Sequence, residues 1–502
     1  MLETGLDPDA IRHTATVVWP WIALLGNVAI IVAALVVVPR NRRPTTALAW
    51  LLAILLLPYL GLVLFLLFGT NQLPARRRQK QAEVDEIIRE ASSGIPELAD
   101  GREPALPREL LTPAWFPRVV ELNRTLTAIP IAEGNRLELL GDYDRSILRV
   151  AEEIDTARET VHVMYYAMSY DEVTAPFFDA LERAVRRGVR VRLLFDHIGS
   201  MRYRGYRAMR RRLREIGAQW HPTLSVWPWE GGVQRVDLRN HRKLAVIDGR
   251  VAFMGSQNMI ERGYHKRRSR LAWKDLAIRI DGPMAAGVDA VFFSDWFAET
   301  GQPLPAPAPG PARPADGEER YACQIVPSGP GYENENNLRL MNQLLYAAEE
   351  RAVLVSPYFV PDDSLMYAIT TAVQRGIRVE LFVGEIGDQF FVFHAQRSYY
   401  EALLRAGVRI WLYPAPEILH AKHMSIDDRV ALIGSSNMDM RSFTLNAEMM
   451  LLVHGEGFVR RLREVEQGYR ERCRELDLDE WMRRPMPSRA LDNFARLTSV
   501  LQ

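Results

Sequence analysis

Two short stretches of this 502-residue chain hold the side chains best suited to chemistry. The first is His241-Arg242-Lys243, followed by Asp248-Gly249 and then by Gly255-Ser256-Gln257-Asn258. The second is His420-Ala421-Lys422, followed by Asp427-Asp428 and then by Gly434-Ser435-Ser436-Asn437. Both read His-x-Lys-x4-Asp, with Gly-Ser-x-Asn at the same distance behind. An imidazole titrates near neutral pH, so it can attack an electrophile or pass a proton with little tuning. A lysine two positions on shares its face of an extended strand. One such motif arises by chance about once per thousand histidines, and two matched copies far less often.

Each copy reads as a β-hairpin closed by a two-residue Asp-Gly or Asp-Asp turn. At a turn, Asp248 and Asp427 suit a structural role as well as a chemical one. Gly-Ser-x-Asn after the return strand puts small and amide-bearing residues where a ligand can be approached.

The elements that must position these hairpins also repeat. Ala184–Phe195 reads AVRRGVRVRLLF and Ala372–Val383 reads AVQRGIRVELFV, preceded by the strand-like runs VHVMYY and AVLVSPYF. Helix, then Gly, then branched strand is the form of a β-α-β unit, with Gly188 and Gly376 ending the helices. Between the copies, residues 302–319 carry six prolines within twelve positions and predict an extended spacer. The expected division is an N-terminal hydrophobic segment (1–70), a polar connector (71–110), lobe 1 (111–300), a Pro-rich linker (301–320) and lobe 2 (321–502).

Residues 15–39 and 47–69 carry no charge. About 20 apolar residues cross a bilayer core, so both stretches predict spans and together a two-helix transmembrane hairpin. The acidic start (Glu3, Asp7, Asp9) and the second span argue against a cleaved signal peptide. Trp19, Trp21 and Trp50 lie near span ends, where indoles favour the interface. Three arginines (Arg40, Arg42, Arg43) join the spans, and Arg76-Arg77-Arg78-Gln79-Lys80 follows the second. A two-span hairpin puts these basic groups on opposite sides. The richer downstream group places the C-terminal bulk in the cytoplasm.

With 63 Lys+Arg against 62 Asp+Glu, the net charge of +1 gives no sign of a basic nucleic-acid binder. Cys323 and Cys473 are the two cysteines, too few for a disulfide framework or a cysteine-based zinc site. Seven arginines in residues 202–214, with Trp227-Pro228-Trp229 nearby, suit an anionic membrane surface or a solvated helix face. A nucleic-acid contact is a third reading of that patch, and the membrane spans oppose it.

The paired motifs resemble those of the phospholipase D superfamily, whose members bring two such motifs together across a pseudo-twofold axis. Within it the chain is similar to the bacterial cardiolipin synthase family, through RPTTALAWLLAILLLPYLGLVLFLLFG, VPSGPGYENEN, VSPYFVPDDSL and Asp439-Met440-Arg441-Ser442-Phe443 leading to Asn446 and Glu448. The resemblance implies an α/β fold of two similar phospholipase D-like lobes with one shared site. It implies His241, Lys243, Asp248, His420, Lys422 and Asp427 as catalytic residues, with Asn258, Asn437, Ser256 and Ser435 binding phosphate. Asp275 and Glu448 occupy the places of acids that orient the histidines; as ordinary exposed acids they would do nothing of the kind.

The implied reaction runs through a phosphohistidine on His241, with His420 as acid and then base. One phosphatidylglycerol donates its phosphatidyl group to another in the bilayer, giving cardiolipin and glycerol. With these donors around the phosphate, no metal and no organic cofactor is expected. The motifs alone also fit a phospholipase D, another phosphatidyltransferase, or an inactive membrane scaffold. Intact His and Lys in both motifs oppose the scaffold.

Overall fold

The computed structural model describes residues 8–40, 44–69, 83, 108–225, 237–264, 271–305, 319–332 and 335–497. Nearly all of the expected connector, the basic run at 76–80, the Trp227–Trp229 stretch and the centre of the Pro-rich linker lie outside these residues. The N-terminal helices and the α/β body are separate compact units.

The N-terminal unit holds three helices, α1 (Pro8–Val37), α2 (Pro44–Leu56) and α3 (Pro58–Phe68). Within α1, Val18–Val37 is a 20-residue apolar stretch, long enough to cross a membrane. Its large side chains face outward, Trp19 and Leu25 each about two-thirds exposed. The second expected span, 47–69, is not one continuous helix. It breaks at Leu57, whose φ of −136° and ψ of 73° leave the helical region ahead of Pro58, as the ring of a following proline favours. Beyond the break α3 doubles back on α2. The rings of Trp50 and Phe65, fifteen positions apart, stand 5.6 Å centroid to centroid. Gly61 makes the fold-back possible, because a Cβ there would sit 2.7 Å from the Ala53 carbonyl. At 1.5 Å per residue α2 and α3 reach about 20 and 16 Å, short of a core about 30 Å thick.

The α/β body is built on one large sheet and two small ones. Its first half comprises β1 (Ala132–Leu140), β2 (Thr160–Tyr165), β3 (Arg190–Asp196), β4 (Gln219–Thr223), β5 (Arg239–Asn240), β6 (Leu244–Ile247), β7 (Val251–Gly255), β8 (Ala272–Lys274) and β9 (Ala277–Asp281). Its second half comprises β10 (Tyr321–Ser328), β11 (Arg351–Val355), β12 (Phe359–Val360), β13 (Arg378–Gly384), β14 (Arg409–Tyr413), β15 (Glu417–Leu419), β16 (His423–Ile426), β17 (Val430–Gly434), β18 (Met438–Asp439), β19 (Asn446–His454) and β20 (Arg474–Glu475).

The order in the large sheet is β20-β14-β13-β11-β16-β17-β19-β10-β1-β9-β7-β6-β2-β3-β4, with β5 pairing β19 off this path, while β12–β18 and β15–β8 form separate two-stranded sheets. Read outward from the central β1–β10 pair, the two halves match strand for strand as far as β4 and β14, and β20 extends the second half by one strand. The central strands run antiparallel, Ala132 facing Cys323 and Asn135 facing Tyr321. The repeat seen in the sequence is thus a pseudo-twofold pair joined edge to edge. β2 and β3 pair in parallel, as do β11 and β13, which makes each a β-α-β unit over the helices Ala175–Arg186 and Asp363–Gln374. Gly188 and Gly376, at φ of 86° and 87°, let the chain leave those helices. Because helices cover both faces, the strands are apolar runs buried on both sides, such as Leu193-Leu194-Phe195 and Leu381-Phe382-Val383.

Candidate active site

The site forms where short segments of each half cross into the other. β5 pairs in parallel with the start of β19, and the His241 N–H donates to Ala447 O at 2.9 Å. In the mirror arrangement β15 pairs in parallel with β8, and the His420 N–H donates to Lys274 O at 2.7 Å. Each histidine is therefore held one residue from an acid of the opposite lobe. His241 Nδ1–H donates to Glu448 at 2.9 Å, and His420 Nδ1–H donates to Asp275 at 2.6 Å. Both acids are buried (Glu448 0%, Asp275 3% exposed), so the reading of exposed acids is excluded.

Histidine and lysine sit in the extended lead-in just before β6 and β16, not inside the hairpin strands as the sequence suggests. The backbone there is bonded to the other lobe. The two-residue period survives: Lys243 Nζ donates to His241 O at 2.7 Å and Lys422 Nζ to His420 O at 2.6 Å. Both lysines are about 1% exposed, and each ammonium keeps further N–H donors for an anion. The Lys243 ammonium also lies 5.3 Å from the centre of the Tyr166 ring, which packs edge-on against His241.

Three sets of motif residues make contacts other than those expected of them. Asp248 and Asp427, expected as catalytic, lie at the far ends of the hairpins. Asp248 accepts the N–H groups of Arg158, Glu159 and Thr160 at 2.8–2.9 Å. Asp427 accepts those of Glu349, Glu350 and Arg351. They tie each hairpin to the start of the neighbouring strand. The turns hold three residues rather than two, since Ile247 faces Val251 and Ile426 faces Val430; Asp248 and Asp427 take positive φ in them.

Ser256 and Ser435, expected on phosphate, instead donate to Asp275 Oδ1 and Glu448 Oε2, each at 2.6 Å. Each hydroxyl oxygen also accepts the next strand's N–H, Leu276 or Met449, at 3.0 Å. The glycine before each serine serves this contact. A Cβ on Gly255 would lie 2.5 Å from Leu276 O, and one on Gly434 2.2 Å from Met449 O. The close approach is to the residue that follows the acid, Leu276 after Asp275 and Met449 after Glu448.

Asn258, also expected on phosphate, is engaged at both ends of its amide. Its Oδ1 accepts Ala167 N–H at 3.2 Å and its Nδ2 donates to Tyr264 OH at 3.1 Å. Asn437 differs, its buried Oδ1 having no partner.

Burial sets the charge states. It pushes His241 down to about 4, and Lys243 and Lys422 add to the shift against the pull of Glu448. His420 goes down to about 3 for the same reasons, with Asp275 opposing. Both imidazoles are thus neutral near pH 7, their Nδ1–H fixed on a carboxylate and their Nε2 lone pairs available. Burial raises Glu448 and Asp275, but the histidines, lysines and serine hydroxyls outweigh it and leave both acids below their ordinary values. Burial also lowers Lys422 to about 8 and Lys243 well below its usual value.

The paired geometry agrees with known proteins. A family model described as "Cardiolipin synthase, PLD-like domain" matches residues 150–296 and 341–467, and one described as "Phospholipase_D-nuclease N-terminal" matches 28–69. Cardiolipin synthase A of Yersinia pseudotuberculosis serotype IB (strain PB1/+) is 32% identical over 490 residues, 96% of this chain and 98% of that protein. Cardiolipin synthase A of Pectobacterium carotovorum subsp. carotovorum (strain PC1) is 32% identical over 486 residues, with the same coverage. This chain belongs to the cardiolipin synthase family.

Its fold is that of a solved phosphatidylserine synthase from Haemophilus influenzae Rd KW20, with a TM-score of 0.55 at 16% identity, covering 77% of this chain and 100% of that one. For this member of the cardiolipin synthase family, sequence reasoning passed over two groups at the site. Arg242, the variable position of the first motif, donates to Glu448 O, Ser328 O and Asp295; Ala421 stands in its place in lobe 2. Trp273, packed on His420 at 4.5 Å between centroids, was legible as the neighbour of Asp275.

Proposed function

We propose that the chain transfers a phosphatidyl group between two phosphatidylglycerol molecules, making cardiolipin and glycerol. The observation that carries this reading is the pair of crossed His–acid contacts meeting between the lobes, in a chain matching cardiolipin synthases from end to end. His241 Nε2 attacks phosphorus, an N–P bond forms, and the bond to the departing glycerol oxygen breaks as His420 supplies that oxygen with a proton. A hydroxyl of the second phosphatidylglycerol then attacks, giving its proton to His420 while the N–P bond breaks. For His420 to begin as the acid it must take up a proton, which the negative phosphodiester favours by opposing the burial penalty. Lys243 and Lys422 neutralise the phosphoryl oxygens, and Asn437 donates to them. Glu448 and Asp275 orient the rings and stabilise the positive charge each acquires.

The lobe division at 111–300 and 321–502, with the linker between, belongs to the same reading, as does placement of the lobes on the cytoplasmic face of the cell membrane. The doubled-back α2–α3 pair supports that side. A re-entrant pair after one crossing returns the chain to the face it left, so Arg40, Arg42, Arg43 and the run at 76–80 share one side. The positive-inside rule is then obeyed by both groups. Cysteines introduced at Arg42 and Lys80 should both resist membrane-impermeant thiol reagents in intact cells. Labelling of one alone would restore two crossings. For the reaction, purified protein with labelled phosphatidylglycerol in mixed micelles should yield cardiolipin and glycerol; phosphatidic acid alone would make it a hydrolase.

A further inference from the structure

The C-terminal helix Met486–Arg496 turns an apolar face to solvent. Met486 is 73%, Phe494 58% and Leu497 78% exposed, and Ala490 continues the stripe at helical spacing. Its other face is packed. Asp492 is buried and accepts from His394 Nδ1 at 2.7 Å, as well as from Arg397 and Arg484. His394 lies on the adjoining helix Phe390–Arg397, whose first turn exposes Phe390 (59%) and Phe391 (51%), the Phe390 ring against His394. Two residues earlier, Asp388 accepts from Tyr358 OH at 2.7 Å, and the Tyr358 ring stands 6.5 Å from that of His420. Asp388 and Tyr358 thus link the segment that opens the apolar patch to the neighbourhood of His420.

The corresponding segment of lobe 1 follows β3, the partner of β13 in the pseudo-twofold. There Ser200 Oγ bonds Tyr166 O, beside His241, and the chain then exposes Arg202, Arg204 and Arg207. The segment that follows β13 is apolar and aromatic, the one that follows β3 cationic.

We propose that these two segments, with the helix Met486–Arg496, seat the catalytic body on an anionic bilayer. The exposed phenylalanines and Leu497 enter the acyl boundary, and the lobe 1 arginines meet headgroup phosphates. Apolar side chains beside arginines are the chemistry of an interfacial helix. A bilayer, unlike a second protein, also carries the diacyl substrate. The proposal rests on the phosphatidyl-transfer reading.

The test uses the full chain with Phe494→Cys, Cys473 replaced by Ser, and a nitroxide label. Power-saturation electron paramagnetic resonance is recorded in detergent and in nanodiscs with 30% phosphatidylglycerol. In nanodiscs the label should become accessible to oxygen and shielded from a water-soluble nickel chelate, while a label at Glu349→Cys stays exposed. Equal nickel accessibility in both media, or spin–spin broadening from a second copy, overturns the proposal. The triple variant Phe390→Ser, Phe494→Ser, Leu497→Ser should need at least tenfold more phosphatidylglycerol in the bilayer for half-maximal rate, with turnover in micelles unchanged. An unchanged requirement overturns it. Cardiolipin production by the unaltered chain is scored separately, so an inserted label with no cardiolipin would sink the reaction and leave the surface standing.

Discussion

Glu448→Gln removes one charge from a carboxylate that nothing in solvent touches. The amide keeps the shape and an acceptor for His241 Nδ1–H, and the Ser435 hydroxyl can turn to accept from it. What disappears is charge assistance. A hydrogen bond to a charged group contributes roughly 1.5–3 kcal/mol and a neutral one about 0.5–1.5, so this change costs about 1 kcal/mol. Larger is the loss of attraction to the cationic ring formed as His241 bonds to phosphorus. Unit charges about 4 Å apart at an effective dielectric of about 20 attract by about 4 kcal/mol. Together these give about 3–5 kcal/mol, or a roughly 10²- to 10⁴-fold fall in kcat. KM should stay within about threefold, since Glu448 faces the imidazole and not the substrate. The assay is initial-rate cardiolipin formation from labelled phosphatidylglycerol in mixed micelles, with a thermal melt confirming the fold. A kcat within threefold of the parent would refute an electrostatic role for this crossed pair.

Ser435→Ala and Ser256→Ala each lose one bond to an orienting acid, about 1–2 kcal/mol, and should lower kcat roughly 5- to 30-fold at constant KM; a raised KM with kcat intact would return the serines to phosphate binding. Asp248→Ala strips the acceptor from three backbone N–H groups and should destabilise the fold by about 2–3 kcal/mol in denaturant unfolding. Turnover per folded molecule should hold, and its abolition at unchanged stability would make Asp248 catalytic. Because Lys422 is lowered to about 8, its positive charge is present below that pH and lost as pH rises through it. The pH profile of kcat/KM should fall above about 8, and in Lys422→Arg the residual rate should lose that limb; a parent limb in the ordinary lysine range contradicts the assignment.

Much of this architecture is legible in the sequence because the chain states it twice. The doubled His-x-Lys motif gave the pairing of the lobes, and the Gly-ended helices gave the β-α-β units. What a linear reading misses is the exchange between halves. Nothing near His241 announces that its partner is Glu448, 207 positions on, since a two-residue parallel bridge makes that contact. The serines deceive for a related reason: a glycine before a serine suits a ligand as well as a neighbouring strand, and only the Leu276 and Met449 carbonyls decide. The aspartates illustrate a bias toward charged residues in motifs, though their turn position already hinted at backbone capping. The second apolar stretch satisfies the length rule for a span, but Pro58 breaks its helix and Gly61 lets the pieces touch, a break that composition alone does not show.

The central claim is that His241 carries the phosphatidyl group while His420 handles the proton. A phosphatidyl ester with a p-nitrophenol leaving group needs no acid to depart, so it separates the two roles. Mixed with His420→Ala and quenched, this substrate should leave one labelled phosphatidyl group per chain, mapped by mass spectrometry to the peptide containing His241, and none in His241→Ala. Label on His420, or none on either histidine, would contradict the account.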